Sequence, residues 1–322
     1  MTGAIKKTPR PELTVKSQLP PTRILRQAAR SAWPDLTLRT FRADNAGWTN
    51  LMLEADGWLM FRFPRWPESA HSMGTEVRLL EYLGHHISVR VPDPLRIGTL
   101  GEPRGWPFMA YRRIPGRPIV NLPGLPSRDK ARLTGFLLRL FSELAGLPNA
   151  PLRRIGLLSG DHRTWATRFE RLQRRYRRTG SGHLSNELNR ELARTFADFF
   201  AILENSRYRP VLLHNDLWPS HILWDAPTHQ PTGVIDWEDA RFGDPAFDLA
   251  TFRDLGAGLD RKLIALRRAP GDQTFDQRLL FYRRILPLSG LLFGLETSRP
   301  SIARSHSIRL GASLALESLS AP

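Results

Sequence analysis

Four residues that could do chemistry lie within twelve positions of the chain. The stretch HNDLWPSHILWD, residues 214–225, contains His214, Asp216, His221 and Asp225. Two imidazoles and two carboxylates this close together suit a metal site, an acid–base pair or a polar turn. The elements that carry them decide between these three possibilities.

A further carboxylate follows at the end of a predicted β-hairpin. The segments HILW and TGVIDW are strand-like, and the loop DAPTHQPTG between them is of hairpin type. Because the ends of paired strands lie side by side, we expect Asp216 and Asp236 to approach one cleft. Two such carboxylates with a ligand between them are parts that phosphoryl transfer uses, together with a metal ion and fixed positive charge.

The composition limits the class of protein. The 322 residues are enough for one large domain or two lobes, and 41% of them are hydrophobic. The chain has no cysteine, which excludes disulfides, thiolate metal sites and a cysteine nucleophile. The N-terminal segment lacks an apolar signal region, and the longest apolar run is far short of the roughly 20 residues that span a bilayer. We therefore expect a soluble, cytoplasmic protein without a membrane partner.

The charge is high and unevenly distributed. The formal net charge is +16, which suits a nucleic-acid partner or an arginine-rich, solvated surface. We favour the second interpretation, so nucleic acid is not an expected partner. Residues 211–260 contain nine Asp and Glu against two Arg, a local balance of −7. Such an acidic patch predicts a site for cations.

The order of elements indicates two parts. Residues 1–20 are predicted to be a disordered basic tail. Strand-like segments then cover residues 36–41, 50–55, 58–63, 94–100 and 107–114. Asp56-Gly57 is a two-residue hairpin signal, and residues 22–36 and 72–86 are typical of helices. From about residue 127 the pattern is mostly helical. We expect an N-terminal lobe over 21–112 and a C-terminal lobe over 113–322.

The ordered motifs resemble one family. LLHNDLWPSHILWD followed by GVIDWEDARFGDPAFDLATF resembles the catalytic segment of the aminoglycoside phosphotransferases, with some similarity to the macrolide branch. The usual pattern there is H-G-D-L-x-x-x-N-I-L, then I-D-W or I-D-F, then G-D-P-x-x-D-L-A. Upstream, GWTNLMLEADGWLMFRFPR, TEVRLLEYL and PFMAYRRIPGRPI resemble the nucleotide loop with the third strand, the glutamate-bearing helix, and the hinge. The resemblance implies an α+β, protein-kinase-like fold with a small β-rich N-lobe and a larger helical C-lobe.

The resemblance also implies residue roles. Asp216 would be the catalytic base and Asp236 a Mg²⁺ ligand; a turn-stabilising aspartate and a strand-terminating aspartate are the structural alternatives. His214 would brace the catalytic loop. Asp244 and Asp248 would brace the same loop or cap a helix.

His221 departs from the usual pattern, which has asparagine at this position. An imidazole nitrogen is a less natural Mg²⁺ ligand than an amide oxygen. The macrolide branch is similar to this chain in carrying histidine here. We expect neutral His221 to bind the metal, with a hydrogen bond to the loop or to a phosphate as the alternative.

Arg62 is the second departure, because the family resemblance to protein kinases predicts lysine on the third strand. Arginine can hold the nucleotide phosphates through its planar fork. Strand alternation puts Met60 on the same face, where it could form part of the adenine floor. Glu76 is the expected partner of Arg62. An exposed strand arginine is the alternative, and Arg65 is the rival phosphate ligand.

Further nucleotide contacts are expected from backbone groups. The segment near Gly47 and Asn50 would cover the phosphates with N–H groups. The backbone of Met109 and Tyr111 would hydrogen-bond the purine. These features leave ATP and GTP equally open as cofactors.

The function that these patterns predict is a small-molecule kinase acting on an antibiotic-like (aminoglycoside or macrolide) or other amine-bearing hydroxyl compound. Glu238, Asp239 and Asp254 are candidate contacts to a cationic acceptor. One alternative is a kinase of a metabolite such as choline, ethanolamine, a sugar or homoserine. Another is a kinase-like binding protein with a basic surface and little catalytic activity.

Overall fold

The computed structural model describes residues 19–44, 49–101 and 105–316. The predicted tail therefore lies outside the described residues except for residues 19 and 20, and Gly47 also lies outside them. The α-helices are α1 (Thr22–Ala32), α2 (Pro67–His86), α3 (Ser127–Gly146), α4 (Asn149–Ile155), α5 (His162–Thr179), α6 (Asn186–Asn205), α7 (Ala257–Arg267), α8 (Phe275–Glu296) and α9 (Pro300–Leu314). The strands are β1 (Phe41–Asp44), β2 (Asn50–Ala55), β3 (Leu59–Pro64), β4 (Pro94–Thr99), β5 (Pro107–Arg112), β6 (Arg117–Pro118), β7 (Val211–Leu213), β8 (Ile222–Asp225), β9 (Gln230–Val234) and β10 (Arg241–Gly243). Short 3-10 segments cover Ser181–His183, Pro219–His221 and Phe247–Leu255.

The first five strands form one antiparallel sheet in the order β1-β2-β3-β5-β4. Asp56 and Gly57, at the β2–β3 turn, have φ values of 49° and 75°. Two successive left-handed residues are what a tight hairpin turn needs, so the predicted hairpin is present. The Asp56 carboxylate accepts the N–H groups of Arg39, at 3.1 Å, and Thr40, at 2.7 Å. The first strand begins later than predicted, because Arg39 and Thr40 bond to Asp56 of this turn and not to a ladder.

Each face of the sheet belongs to a different hydrophobic core. Phe108 and Ala110 of β5 join the core that α1 covers, which also contains Phe61. Met109 and Tyr111, which point the other way, join the larger core of the helical part. Full burial of one such side chain stabilises the fold by roughly 1.5–3 kcal/mol. The sheet is thus held between α1 and the rest of the molecule.

Helix α2 links the sheet to the helical part. It begins at Pro67, five residues before the predicted start, and proline is well suited to the first turn of a helix. Met73 and Val77 are buried on its apolar face and belong to the larger core. Because that core includes residues from both sides of Arg112, the lobe boundary expected there stays a prediction.

The helical part contains two small sheets, β6-β8-β9 and β7-β10. Phe141 of α3, where the family resemblance often shows histidine, has no exposed surface and packs in the core. None of the described helices is long and apolar enough to cross a membrane. The architecture confirms the α+β class and the order of a β-rich lobe followed by a helical one.

Candidate active site

The two small sheets bring distant segments together. In the β8–β9 hairpin, Ile222 pairs with Val234, and the Ile235 N–H donates to the His221 carbonyl at 2.9 Å. Strand β7, which precedes the His214 loop, pairs with β10, which follows Asp236 by five residues. The two carboxylates identified from sequence therefore face one region, as the hairpin argument predicted.

Asp216, His221 and Asp236 form a compact ligand set. One ligand atom from each residue lies within 4.8 Å of the others. His221 Nε2 is 3.5 Å from Asp236 Oδ2, and His221 Nδ1 is 3.7 Å from Asp216 Oδ2. Two carboxylates and one imidazole could hold a divalent cation, and nucleotide phosphates commonly supply further oxygens to Mg²⁺. The donor set therefore fits the expected metal, with one nitrogen in place of an oxygen.

The hydrogen bonds of His221 assign its tautomer. Its Nδ1 lies 2.6 Å from the backbone carbonyl of Asp216. A carbonyl oxygen only accepts, so Nδ1 carries the proton and donates this bond. In the neutral ring, Nε2 is then the nitrogen with a lone pair, and it is the one nearer to Asp236. This arrangement is the one that a metal-binding histidine needs.

The catalytic loop is braced from two sides. The Asp248 carboxylate accepts the N–H groups of His214 and Asn215, both at 2.9 Å. His214 Nε2 donates to the Ile235 carbonyl at 3.0 Å, which leaves Nδ1 to accept the Asp216 N–H at 3.3 Å. Burial raises the pKa of Asp248, although Arg267 and the two N–H groups oppose that change.

Backbone strain is concentrated at the same place. Asn215 and Asp236 have φ values of 65° and 73°, in the left-handed region that disfavours side chains. The indole N–H of Trp218 donates to Asp216 Oδ1 at 3.0 Å and fixes that carboxylate. Asp216 is thereby held buried within a strained loop, next to the candidate metal ligands His221 and Asp236.

Asp244 has a different position from Asp248. It accepts from Arg278 Nε at 2.6 Å and from the Tyr282 hydroxyl at 2.7 Å, both on helix α8. Arg278 also binds Asp272 through two bonds of 2.8 Å. All three side chains are almost fully buried. The contacts of Asp244 thus tie the segment after β10 to α8, rather than bracing the catalytic loop directly.

Arg62 lies at the centre of an ionic cluster between the sheet and the cleft. It forms short ion pairs with Glu76 and Glu238, and its Nη2 is 3.2 Å from Asp236 Oδ1. The contact expected between Arg62 and Glu76 is present. Burial alone would lower the pKa of Arg62, but the three carboxylates outweigh burial and raise it. The guanidinium therefore stays charged beside the candidate metal ligand Asp236.

The remaining nucleotide-binding candidates lie along the same sheet. The Asn50 amide nitrogen donates to Glu238 at 2.5 Å, and Met60 pairs with Tyr111 across β3 and β5. Tyr111 is buried, and burial raises its pKa. Met109 and Tyr111 both lie inside β5, which has a neighbouring strand on each side, and the chain leaves the sheet only after Arg112. Residues 113–116 are therefore a second candidate for the purine contact.

A cavity of about 1400 Å³ opens beside Asp216. Glu238 and Asp239 line it, whereas Asp254 does not and pairs on the surface with Arg253. Much of the acidic charge of residues 211–260 is already engaged: Glu238 binds Arg62, and Asp244 binds Arg278. The acidic patch that predicted a cationic acceptor is therefore partly paired within the protein, although Glu238 shares Arg62 with Glu76 and Asp236.

Known proteins were compared with this chain. The family model described as the phosphotransferase enzyme family matches residues 40–280. The chain belongs to this family. It is 27% identical over 193 residues to the viomycin phosphotransferase of Streptomyces vinaceus, a stretch that covers 56% of this chain and 60% of that protein.

Two solved structures share the fold of this phosphotransferase family member. The GDP complex of aminoglycoside 2'-phosphotransferase-IIIa matches with a TM-score of 0.81 and 24% identity, covering 92% of this chain and 99% of that one. Macrolide 2'-phosphotransferase type I matches with a TM-score of 0.70 and 20% identity, covering 91% and 98%. These likenesses confirm the predicted kinase-like fold.

Sequence reasoning missed the residues of α5 that line the cavity. The segment HRTWATRFERLQRRYRR was identified as helical, but its arginines had no partner in any motif. Arg163, Arg171 and Arg178 line the cavity, at intervals of eight and seven residues that keep them on one broad side of the helix. That spacing was the available signal, and it becomes informative only once the helix is placed against the catalytic loop.

Proposed function

We propose that this protein transfers the γ-phosphoryl group of ATP or GTP to a hydroxyl of a small molecule. The observation that carries the proposal is the convergence of Asp216, His221 and Asp236, from separate segments, within 4.8 Å beside a large cavity. Family membership supports the same chemistry.

Each group has a role in the transfer. The acceptor hydroxyl, in the cavity, is oriented by the Asp216 carboxylate, which accepts its proton as the oxygen attacks the γ-phosphorus. A bond forms from that oxygen to phosphorus, the β,γ-bridging bond breaks, and the nucleoside diphosphate leaves with those electrons. Asp236 and His221 Nε2 would hold Mg²⁺, which neutralises phosphate charge when bound. Arg62, kept charged by its carboxylates, supplies the fixed positive charge near the phosphates.

Asp216 provides the decisive experiment. Asp216→Asn keeps the size of the side chain and its contact to Trp218 but removes the proton acceptor. We expect phosphoryl transfer to fall by roughly 10²–10⁴-fold, while nucleotide still raises the melting temperature. Asp225→Asn is the matched control, because Asp225 lies in the same stretch and accepts the N–H and the hydroxyl of Thr228 in the hairpin turn. Transfer near the wild-type rate in Asp216→Asn refutes the mechanism.

The metal role of His221 is tested separately. His221→Ala is expected to raise the Mg²⁺ concentration for half-maximal activity by about tenfold, the lower end of the effect of losing a metal-supporting contact. His229→Ala is the control, since this half-exposed histidine of the β8–β9 turn pairs with the buried Asp129 of α3 at 3.1 Å and not with the candidate metal ligands. An unchanged Mg²⁺ requirement would leave His221 with the alternative role of bracing the loop.

Two acceptor classes are candidates. The names of the relatives support an antibiotic acceptor, including amine-bearing ones. The arginines that line the cavity favour a metabolite as the acceptor instead, because their positive charge would repel a polycationic antibiotic. A kinase-like binding protein remains the candidate from another class, motivated by Arg62 and His221. It predicts no melting-temperature increase with millimolar nucleotide and Mg²⁺.

A further inference from the structure

One wall of the cavity beside Asp216 is strongly cationic. Helix α5 contains seven arginines against a single acidic residue, Glu170. Its cavity-facing arginines include Arg163, Arg168, Arg171 and Arg178, and Arg241 of β10 adds to them. Within residues 19–44, 49–101 and 105–316, none of these five arginines forms an ion pair with a carboxylate, in contrast to two neighbours on α5. The two other arginines of α5 that line the cavity are engaged: Arg174 with Glu170 and Arg175 with Glu296.

The acidic residues that line the same cavity do not balance this charge. Glu76 and Glu238 both pair with Arg62 on the opposite side. Asp248 accepts two backbone N–H groups within the catalytic loop. Asp216 belongs to the proposed catalytic set. Asp239 also lines the cavity, and this single carboxylate interacts electrostatically with both Arg168 and Arg241. The α5 side of the cavity therefore has an excess of positive charge.

Arg168 and Arg241 both have contacts at the catalytic loop or at the strand that leads into it. Arg168 Nη1 donates to the Asn215 side chain at 2.5 Å, one residue from Asp216. Its guanidinium is 4.7 Å from the Phe247 ring centroid and 4.9 Å from that of Trp165. Burial and the neighbouring charge of Arg241, opposed by Asp239, together lower the pKa of Arg168 to about 10. The chain thus holds a desolvated cation beside its catalytic residue.

Arg241 carries a second sign of incomplete pairing. Its Nε is buried and has no hydrogen-bond partner among the described residues. Burial lowers its pKa as well, and Arg171 contributes in the same direction. A buried donor without an acceptor destabilises the protein, and a charged donor does so more strongly. An oxyanion bound here would remove that cost and form charge-assisted bonds with the planar guanidinium groups.

Resting on the proposed function, we propose that the acceptor is a hydroxylated small molecule bearing a carboxylate or phosphate group. Its anionic group binds the arginines of α5 and β10, above all Arg168, Arg171 and Arg241, and this contact directs a hydroxyl toward Asp216. The anion of the acceptor is distinct from the nucleotide phosphates, whose expected ligands are Arg62 and the metal set on the other side of the cleft. This charge is opposite to the one predicted from the acidic sequence 211–260.

The experiment compares hydroxylated compounds matched in size and different in charge. Glucuronate, glucose and glucosamine share one ring and carry charges of −1, 0 and +1 at neutral pH. They are tested with sugar phosphates, hydroxy acids and the aminoglycoside kanamycin. Ligand-observed NMR on the full chain with nucleoside diphosphate and Mg²⁺ measures binding, and release of diphosphate from ATP or GTP measures transfer.

We expect binding by anionic compounds, weakened at least tenfold in the Arg168→Gln/Arg171→Gln variant and by increased ionic strength. Arg177→Gln is the matched control, because Arg177 is an exposed arginine of the same helix that does not line the cavity. Arg178→Gln, at an exposed position of the cavity wall, is expected to weaken anion binding severalfold and serves if the double variant does not fold.

Three results overturn the charge assignment: no anionic compound binds, anion binding is the same in the α5 variants, or the amines bind more tightly. The assignment is also overturned, in favour of a polymeric partner, if a DNA oligonucleotide binds more tightly than the small anions and the same variants abolish its binding. Failure of the proposed function is separate. If anionic compounds bind but are never phosphorylated, the phosphoryl transfer is refuted and the charge assignment stands. If amines are phosphorylated, the phosphoryl transfer stands and the charge assignment is refuted.

Discussion

Arg62 and Arg278 are both buried arginines surrounded by carboxylates, but the two clusters differ in how completely their charges are paired. Arg278 has no exposed surface, and two carboxylates, Asp244 and Asp272, accept its N–H groups at 2.6–3.2 Å. Arg62 is shared by three carboxylates, one of which, Asp236, is 20% exposed toward the cleft. The first cluster is closed, and the second has an open side with surplus negative charge.

The difference separates a structural cluster from one that can bind a ligand. Both arginines have raised pKa values, because the carboxylates outweigh the effect of burial in each case. In the closed cluster the donors and acceptors satisfy each other, so nothing further can bind. In the open cluster, three carboxylates share one guanidinium, and the net charge of −2 that remains favours a divalent cation. Counting charges around a buried arginine thus distinguishes the two functions better than the arginine itself does.

The largest expected effect is on the closed cluster. Asp244→Asn removes one of the two anions that pair with Arg278 and should lower the free energy of unfolding by about 3–5 kcal/mol, because a buried charge loses its partner. Urea denaturation followed by circular dichroism measures this. Asp276→Asn, at the partly exposed pair with Arg268, is the control and should cost less than about 1 kcal/mol. A loss below 1 kcal/mol for Asp244→Asn would mean that the closed cluster contributes no more than a surface pair.

The open cluster should respond through nucleotide affinity. Arg62→Met removes the fixed charge and should weaken nucleotide binding by roughly 10- to 100-fold, the effect of charge-assisted bonds worth about 1.5–3 kcal/mol. Arg62→Lys keeps the charge and should stay within about tenfold of wild type. Arg65→Met tests the alternative phosphate ligand. Arg65 interacts with Asp44, and burial lowers the pKa of Arg65. A larger loss of affinity in Arg65→Met would assign the phosphates to Arg65.

The pH dependence of the free energy of unfolding tests the contribution of the Asp272 charge to the closed cluster. The Arg278 bonds lower the pKa of Asp272 below 3.8, although burial opposes them. A carboxylate with a depressed folded-state pKa stabilises the protein above its unfolded pKa, and this contribution disappears as the pH falls through the folded value. The wild type should therefore exceed Asp272→Asn in unfolding free energy at pH 6, and the gap should narrow from pH 4 downward. A gap independent of pH would show that the Asp272 charge is irrelevant.

The smallest expected effect is the loss of one anion from the open cluster. Glu238→Gln leaves Arg62 with Glu76 and Asp236, so we expect the free energy of unfolding to stay within about 1 kcal/mol of wild type. The same denaturation experiment measures it beside Asp244→Asn. A loss of 3 kcal/mol or more would make the two clusters equivalent and end the distinction between them.

Sequence patterns carried much of the fold and part of the site. The β2–β3 hairpin followed from Asp56-Gly57, and the convergence of Asp216 and Asp236 followed from the hairpin that separates them. These inferences succeed because turn chemistry and strand alternation are local. The pairing of Asp244 with Arg278 spans 34 residues and depends on how α8 packs, which no local pattern specifies.

The charge of the acceptor cavity shows a second limit of sequence reasoning. A local count of −7 over residues 211–260 suggested an acidic pocket, but the count does not reveal which direction each side chain faces. Folding pairs Glu238 with Arg62 and places α5, with its seven arginines, along the cavity. The field at a site is set by the charges that remain unpaired there, and those come from several elements.

The left-handed backbone at Asn215 and Asp236 has a consequence for laboratory evolution. Side chains in this conformation cost about 1 kcal/mol or more relative to glycine, so Asp236→Gly would relieve strain while deleting the proposed metal ligand. A selection for heat resistance alone would therefore favour substitutions that make the protein more stable and inactive. Any programme to make this protein more robust should hold these two positions fixed and look for its gains elsewhere in the chain.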